Sequence, residues 1–311
     1  MLKFGIHSKN QIKKQEKFTS LLGQDKKISI TLYDQIIEES NADELAERIL
    51  LLFADERGAY KRTYQKRFED FDKVVLTCLK KNFKNGASLT FHDVAVSDGR
   101  TALDFFEKMS QEFTNIQYTA SDYNPKVYVV EKGKCKVTLS HSGKILEILF
   151  PPFVFNVIKR DSIRHYPINH LIRLIVERFI ADPLVKKYHL KKIPAKELLL
   201  FAPRVLNASR NDVRFKLLQH NLLEPFDKSA HVIRAMNVLN TSYFSEEEFL
   251  KVLKHIYEGL EDGGIFITGS NQGAGSIVNG GVYKKDDKGF EKVWESGEGS
   301  PVDQLIVNFN K

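Results

Sequence analysis

Asp93, Ala95, Ser97 and Gly99 stand at alternate positions in Asp93-Val94-Ala95-Val96-Ser97-Asp98-Gly99, between an apolar run and a stretch of helical periodicity. The spacing is that of D-x-G-x-G-x-G, with alanine and serine in the first two glycine positions. A turn of this kind leads a strand into a helix, and small residues let the backbone approach a nucleoside there. Asp122 ends the next apolar run, 23 residues after Gly99, and is followed by Tyr123-Asn124-Pro125. A carboxylate at that edge can accept hydrogen bonds from both hydroxyls of an adenosyl ribose. Taken singly, the first motif also fits an ordinary tight turn cornered on Asp98-Gly99, and Asp122 also fits a turn cap. Together they favour a nucleoside. A dinucleotide's pyrophosphate requires close backbone approach, which Ala95 and Ser97 hinder; S-adenosylmethionine (SAM) has no phosphate and tolerates them.

The elements that must hold these residues follow from periodicity. Residues 89–94 read as a buried strand, 101–113 as a helix with Leu103, Phe106 and Met109 inward, and 116–122 as a second strand. Strand, helix, strand implies a parallel pair. The alternation returns with strands at 215–219 and 231–235, a helix at 246–260 and a strand at 264–268; residues 281–284 and 304–309 are further strand candidates. Residues 1–85 read as a helical region. One helix starts at Ser40-Asn41-Ala42-Asp43-Glu44 and carries Leu45, Ile49, Leu52 and Phe53; another spans 68–83 and ends at Asn85-Gly86. Residues 86–311 form the expected nucleoside-binding domain, interrupted by an insertion at 126–210. That insertion opens with a hairpin (127–130 and 135–139, turning through Glu131-Lys132-Gly133-Lys134) and adds a third strand at 145–149. An elbow at Phe150-Pro151-Pro152-Phe153 leads to an apolar helix at 168–182. Its apolar face, flanked by Lys159, Arg160, Arg164 and Arg173, is expected to pack on the hairpin. The competing reading lays it on an anionic membrane or over the substrate as a lid. Gly273-Ala274-Gly275 is expected to move over the active site.

Composition narrows the classes. With 42% hydrophobic and 28% charged residues, the 311-residue chain has the makings of a sizeable core. Cys78 and Cys135 cannot build a disulfide framework or a zinc site alone. The formal net charge of +7 is distributed over short basic pairs such as Lys13-Lys14, Lys80-Lys81 and Lys284-Lys285. These read as solvated surface that favours an anionic substrate or acidic partner, and no nucleic-acid module is visible. No apolar run follows Met1-Leu2-Lys3-Phe4-Gly5, and the stretch at 145–158 is broken by Glu147, two prolines and Asn156. A cytoplasmic protein without a membrane span is therefore expected.

Five short motifs in order resemble class I SAM-dependent methyltransferases, and among them are most similar to the chemotaxis-receptor (CheR-type) enzymes. Ala95-Val96-Ser97-Asp98-Gly99 resembles that family's A-G-C-S-T-G loop, and Ala120-Ser121-Asp122 its A-S-D. Asn221-Leu222-Leu223 matches N-L-L, the segment from Met236 to Phe244 resembles R-N-V-L-I-Y-F, and Leu260-Glu261-Asp262-Gly263-Gly264 opens a similar L-x-x-G-G close. Arg67 and Phe71 share the phase of an R-x-x-x-F linker. The resemblance implies an α/β, Rossmann-like class I methyltransferase fold: a mostly parallel seven-stranded sheet flanked by helices, with an N-terminal helical region and an inserted β-hairpin/helix subdomain. It implies SAM as cofactor, held by Asp93, Ala95, Val96, Ser97, Asp98, Gly99, Thr101, Asp122, Tyr123, Asn221, Leu222 and Asn237. It places Asn237, Tyr243 and the Asp98 region beside the methyl group. Met236 stands where the family has arginine, and two extra residues separate Leu239 from Tyr243, so the receptor-glutamate activity does not transfer.

Methyl transfer is an in-line displacement in which the enzyme holds donor and acceptor at attack distance. A carboxylate acceptor needs no base, whereas a hydroxyl or amine usually does. His92, His220 and His231 read as structural histidines, and no cluster has metal-ligand spacing. Two functions stay open: a methyltransferase acting on an O- or carboxylate-type acceptor (a small metabolite or a protein side chain), and a non-catalytic SAM-binding interaction module.

Overall fold

A computed structural model describes the chain except residues 1, 17–26, 38, 40, 62, 85, 87, 241–242, 272–276 and 311. The helices in chain order are α1 (Lys9–Glu16), α2 (Tyr33–Ile36), α3 (Ala42–Leu52), α4 (Glu69–Asn82), α5 (Arg100–Glu112), α6 (Pro167–Val176), α7 (Asp182–His189), α8 (Pro203–Asn211), α9 (Glu246–Gly259) and α10 (Asp303–Val307). The strands are β1 (Leu89–Val94), β2 (Ile116–Asp122), β3 (Lys126–Lys132), β4 (Cys135–Leu139), β5 (Ile145–Phe150), β6 (Phe153–Asn156), β7 (Lys196–Leu199), β8 (Phe215–Gln219), β9 (Ala230–Met236), β10 (Leu260–Ser270), β11 (Asn279–Lys285) and β12 (Phe290–Ser296). Contacts gather them into two units, residues 1–62 with 124–203 and residues 63–123 with 204–311.

The second unit is built on a seven-stranded sheet in the order β12-β11-β10-β9-β1-β2-β8. The five strands from β10 to β8 are parallel; β11 and β12 are antiparallel additions at one edge. This is the α/β, Rossmann-like arrangement that the alternation of strands and helices predicts. From β1 the chain winds outward through β2 and β8, then returns to lay β9 and β10 on the other side. The reversal puts a topological switch point between β1 and β9, where open α/β sheets bind ligands. Both faces of β1 are covered. On one face Phe91 stacks on Tyr118 (centroids 4.6 Å apart) and meets Phe105 of α5 edge-on. On the other, Val94, Ile233 and Ala235 join Phe249, Val252, Leu253 and Ile256 of α9. Helix α9 starts at a capping box in which Ser245 and Glu248 satisfy each other's backbone N–H groups.

The first unit contains a five-stranded antiparallel sheet, β6-β5-β4-β3-β7, larger than the three strands expected. Val127, Val129, Leu146 and Leu198 pack against Ile30, Leu32, Tyr33, Leu45, Ile49 and Phe53 from the N-terminal helices. Val130, Val137 and Ile148 point the other way, to Val176, Ala181 and Leu184. The N-terminal 62 residues thus share a core with the insertion, and α4, expected with them, belongs to the second unit.

One local expectation is corrected and one is refined. Residues 304–309 are not a strand: Val302 and Ile306, four apart, are buried together as α10 forms. The last strand is instead β12, whose Glu291, Lys292 and Val293 are exposed at the sheet edge and so give no buried-strand signature. The helix expected at 168–182 is helical throughout and extends from Pro167 to His189, with one irregular turn inside it. A π-helical turn at Glu177–Ala181 separates α6 from α7, whose first turn holds Pro183; proline has no N–H to continue the ladder. Ser40 and Asn85, expected at helix ends, and Gly273-Ala274-Gly275 lie outside the described residues. Among the described residues no helix is long and apolar enough to cross a membrane.

Candidate functional site

The carboxyl ends of β1, β2, β9 and β10 carry most of the candidates, all within the second unit. After β1 the chain adopts left-handed backbone at Ala95 (φ 56°), Ser97 (φ 61°) and Gly99 (φ 83°). The glycine-like positions of the motif are thus the ones that turn through positive φ, where alanine and serine are strained. Side chains alternate accordingly. Val96 and Asp98 are buried, while Ala95 and Ser97 remain partly exposed, the Ser97 hydroxyl itself being buried. The Val96 N–H donates to the Ser121 carbonyl (3.0 Å), and Gly99 N–H closes the turn on the Val96 carbonyl (2.9 Å). Asp98 binds the Arg100 guanidinium in a buried ion pair and caps the Arg100 N–H. Helix α5 follows directly, with Thr101 buried in its first turn.

Asp122 meets this turn. Its carboxylate accepts from the Ser97 N–H at 2.8 Å, and its carbonyl accepts from the His220 N–H at 3.1 Å. The Tyr123 carbonyl accepts from the Gln219 side chain. The two signals that pointed to a nucleoside, the turn and the second acid, are therefore joined by a hydrogen bond. A carboxylate has further lone pairs for a ribose.

Asp93 has a different setting from the one expected. Its carboxylate is buried beneath the turn, where it accepts from Arg234 Nη1 (2.8 Å) and the Tyr118 hydroxyl (2.7 Å). Arg234 Nη2 donates to Asp72 of α4 at 2.8 Å, and its guanidinium lies over the Phe105 ring at 4.7 Å. Two carboxylates face one cation in the interior. Burial outweighs the attraction of Arg234 and lifts the Asp72 carboxyl up to about 6; it raises Asp93 as well. Sequence reading missed this cluster. Its signal was Arg234 itself, a charge among the apolar Val232, Ile233, Ala235 and Met236 of β9.

At the end of β9, Asn237 is again left-handed (φ 58°) and its N–H donates to the Gly269 carbonyl. Its side chain forms a reciprocal pair with Asn271, donating to the Asn271 side-chain oxygen (3.1 Å) and accepting from the Asn271 N–H (3.0 Å). Arg67 also donates to that Asn271 oxygen at 3.0 Å, placing a cation at the edge where Met236 supplies none. The Arg67 guanidinium lies over the Tyr64 and Phe68 rings.

Other candidates are placed apart. Asn221 caps its own turn through the Leu223 N–H, while Leu222 is buried in the core beside α9, its carbonyl 3.2 Å from His255 Nδ1. Tyr243 is exposed in the turn before α9, and no hydrogen bond among the described residues links its hydroxyl to Asn237. Histidines cluster on the α9 side of the sheet. His92 contacts the Ser121 hydroxyl at 2.9 Å and packs against Phe226 and His220. Burial, reinforced by His220, pushes the His92 imidazole down to about 3, so it is neutral at ordinary pH. Burial also lowers His220. His231 bonds to Thr90 on the neighbouring strand. Among the described residues no group of His, Cys, Asp and Glu has the geometry of a metal site.

No family model matches the chain, and no curated protein matches it. Similar solved structures include the glycopeptide N-methyltransferase MtfA complexed with S-adenosyl-L-homocysteine, at 13% identity and TM-score 0.29, covering 63% of this chain and 47% of that one. The mitomycin 7-O-methyltransferase MmcR aligns at 11% identity and TM-score 0.32, covering 77% of this chain and 42% of that one. A putative sarcosine dimethylglycine methyltransferase from Galdieria sulphuraria aligns at 9% identity and TM-score 0.32, covering 65% and 47%. The chain spans about half the length of these structures.

Proposed function

We propose that the second unit is a SAM-dependent methyltransferase acting on an O- or carboxylate-type acceptor, a small metabolite or a protein side chain. The observation that carries this reading is the Ser97–Asp122 contact beside the switch point. It unites a turn of small residues with a carboxylate able to accept from ribose hydroxyls. In this reading Ala95, Ser97 and Gly99 admit the nucleoside, Asp122 accepts from its hydroxyls, and Arg67 holds the amino-acid carboxylate. Bound SAM supplies the sulfonium methyl group. Asp93, Val96, Asp98, Thr101 and Leu222 shape the site from beneath instead of touching the ligand, and Asn221 and Tyr123 border it. Asn237 and Asn271 keep the ends of β9 and β10 in register at the edge. A carboxylate acceptor needs no proton removed.

Titration calorimetry with SAM and with S-adenosylhomocysteine tests the premise. Asp122→Ala is expected to weaken both by about tenfold or more, the cost of losing charged hydrogen bonds to a ligand. Absence of binding to the wild-type chain sinks the proposal, and unchanged affinity in the variant moves the ribose elsewhere. The alternative, a non-catalytic SAM-binding module, draws support from Asn237, whose amide is already engaged by Asn271, and from the outlying Tyr243. Transfer of labelled methyl to any fraction of a cell extract decides for the enzyme.

A further inference from the structure

Helix α6 buries one face and leaves the other uncovered. Asn169 fastens the buried face by exchanging hydrogen bonds with the backbone of Lys3 (2.9 and 2.7 Å), and Val176 enters the core under the five-stranded sheet. The outer stripe recurs at helical spacing: Ile168 (49% exposed), Leu171 (58%), Ile175 (50%) and Phe179 (74%), with Leu174 beside it. Scattered apolar residues on a surface are ordinary, but a continuous stripe of five large ones is a contact surface.

Charge says what covers it. Between residues 159 and 192 there are nine Lys and Arg against three Asp and Glu, so this segment carries a formal net charge of +6, against +7 for the whole chain. Two of the acids are already neutralised: Asp161 by Lys3 and Lys27, and Glu177 by Arg173. Among the described residues, Arg164, Arg178, Lys186, Lys187, Lys191 and Lys192 are exposed and carry no ion pair. An apolar stripe bordered by unpaired cations matches an anionic bilayer, with aliphatic and aromatic groups entering the acyl boundary and cations at the headgroups. A second copy of the same face would set like charges against each other.

We propose that the outer face of α6, continued through Phe179, docks this protein on anionic lipid membranes. The proposal is independent of the methyltransferase reading. Co-sedimentation of the full chain with vesicles tests it, using phosphatidylcholine alone and an equal mixture of phosphatidylcholine and phosphatidylglycerol. Binding is expected to the mixed vesicles, to weaken with salt, and to be slight on the neutral ones. Leu171→Glu with Phe179→Glu is expected to reduce partitioning at least about tenfold, since two large side chains lose their burial. Arg164→Gln and Arg178→Gln are expected to cost about fivefold each. All four positions are exposed, and unchanged thermal unfolding of Leu171→Gln with Phe179→Gln keeps loss of binding separate from loss of fold. Failure to bind mixed vesicles, equal binding to both kinds, or indifference to the substitutions overturns the proposal. So does concentration-dependent dimerisation abolished by the same substitutions without lipid binding, or binding to polyglutamate in place of vesicles.

Discussion

Arg234→Met probes the interior on which the turn rests. Methionine keeps an unbranched apolar stem but removes the guanidinium that bridges Asp72 and Asp93, each at 2.8 Å. All three side chains are at most 3% exposed, so water cannot take over. The variant buries two carboxylates against each other with no cation. Breaking a buried ion pair from one side costs about 3–5 kcal/mol, a large part of the roughly 5–15 kcal/mol that holds a domain folded. The sign with pH follows from the raised carboxyls. A group whose acidity is weakened by folding takes up protons in the folded state, so stability falls as pH rises from about 4 through the raised values. With Asp72 already lifted to about 6 beside Arg234, removal of the cation lifts both acids further. Loss of stability should therefore be full near pH 8 and at most about half as large near pH 5. Urea unfolding followed by circular dichroism at the two pH values measures it. Adding Asp72→Asn and Asp93→Asn to the variant should recover most of the loss, because no charge remains to be buried. A loss below about 1 kcal/mol near pH 8, or equal losses at both pH values, refutes the reasoning.

The first unit offers a parallel case. Glu147 is fully buried, accepts from the Ser29 hydroxyl (2.6 Å) and the Ile30 N–H, and is lifted by burial from 4.5 to about 7. Glu147→Gln keeps an acceptor without the charge, so it should match wild type near pH 4 and exceed it by about 3 kcal/mol above pH 8; the same pH profile for both proteins would contradict this. For His92, the imidazole signals in nuclear magnetic resonance should show no titration down to about pH 4, and an inflection near 6.5 would show that the ring is hydrated. Ala95→Gly and Ser97→Gly relieve left-handed strain and should each raise the unfolding midpoint, by up to about 1 kcal/mol of stability; a lowered midpoint would show that methyl or hydroxyl packing outweighs the strain. Asn271→Ala removes the side-chain oxygen that accepts from both Asn237 and Arg67 while keeping the backbone N–H bond to Asn237, and should weaken SAM binding more than it lowers stability; calorimetry and thermal unfolding on one preparation separate the two.

Much of the second unit was legible because its signals are local. The run at 89–94 carries Leu89, Phe91 and Val94 as buried apolar positions, the helix after it turns Leu103, Phe106 and Met109 inward, and Asp122 closes the following strand. These are properties of neighbouring residues, and they fix strands, helices and a parallel connection. Edge elements were read less well: β12 is mostly exposed, with Phe290 its one buried residue, and α10 is too short to show periodicity. The N-terminal residues were assigned to the right class of element. Their packing against β3 and β5 is a contact between segments about a hundred residues apart, which no local pattern encodes.

At the candidate site the division is the same. Sequence alone determined that a turn of small residues follows β1 and that an acid follows β2, since spacing and side-chain size are written in the chain. It also marked Ala95 and Ser97 as unusual. Only the tertiary structure decided that these two residues turn through positive φ, that Asp122 clasps the Ser97 N–H, and that Arg67 arrives beside Asn271. It also paired the buried Asp93 with Arg234. The physical reason is pairing. A buried carboxylate takes its role from whichever cation the fold brings within hydrogen-bond reach, and Arg234 lies 141 residues away along the chain.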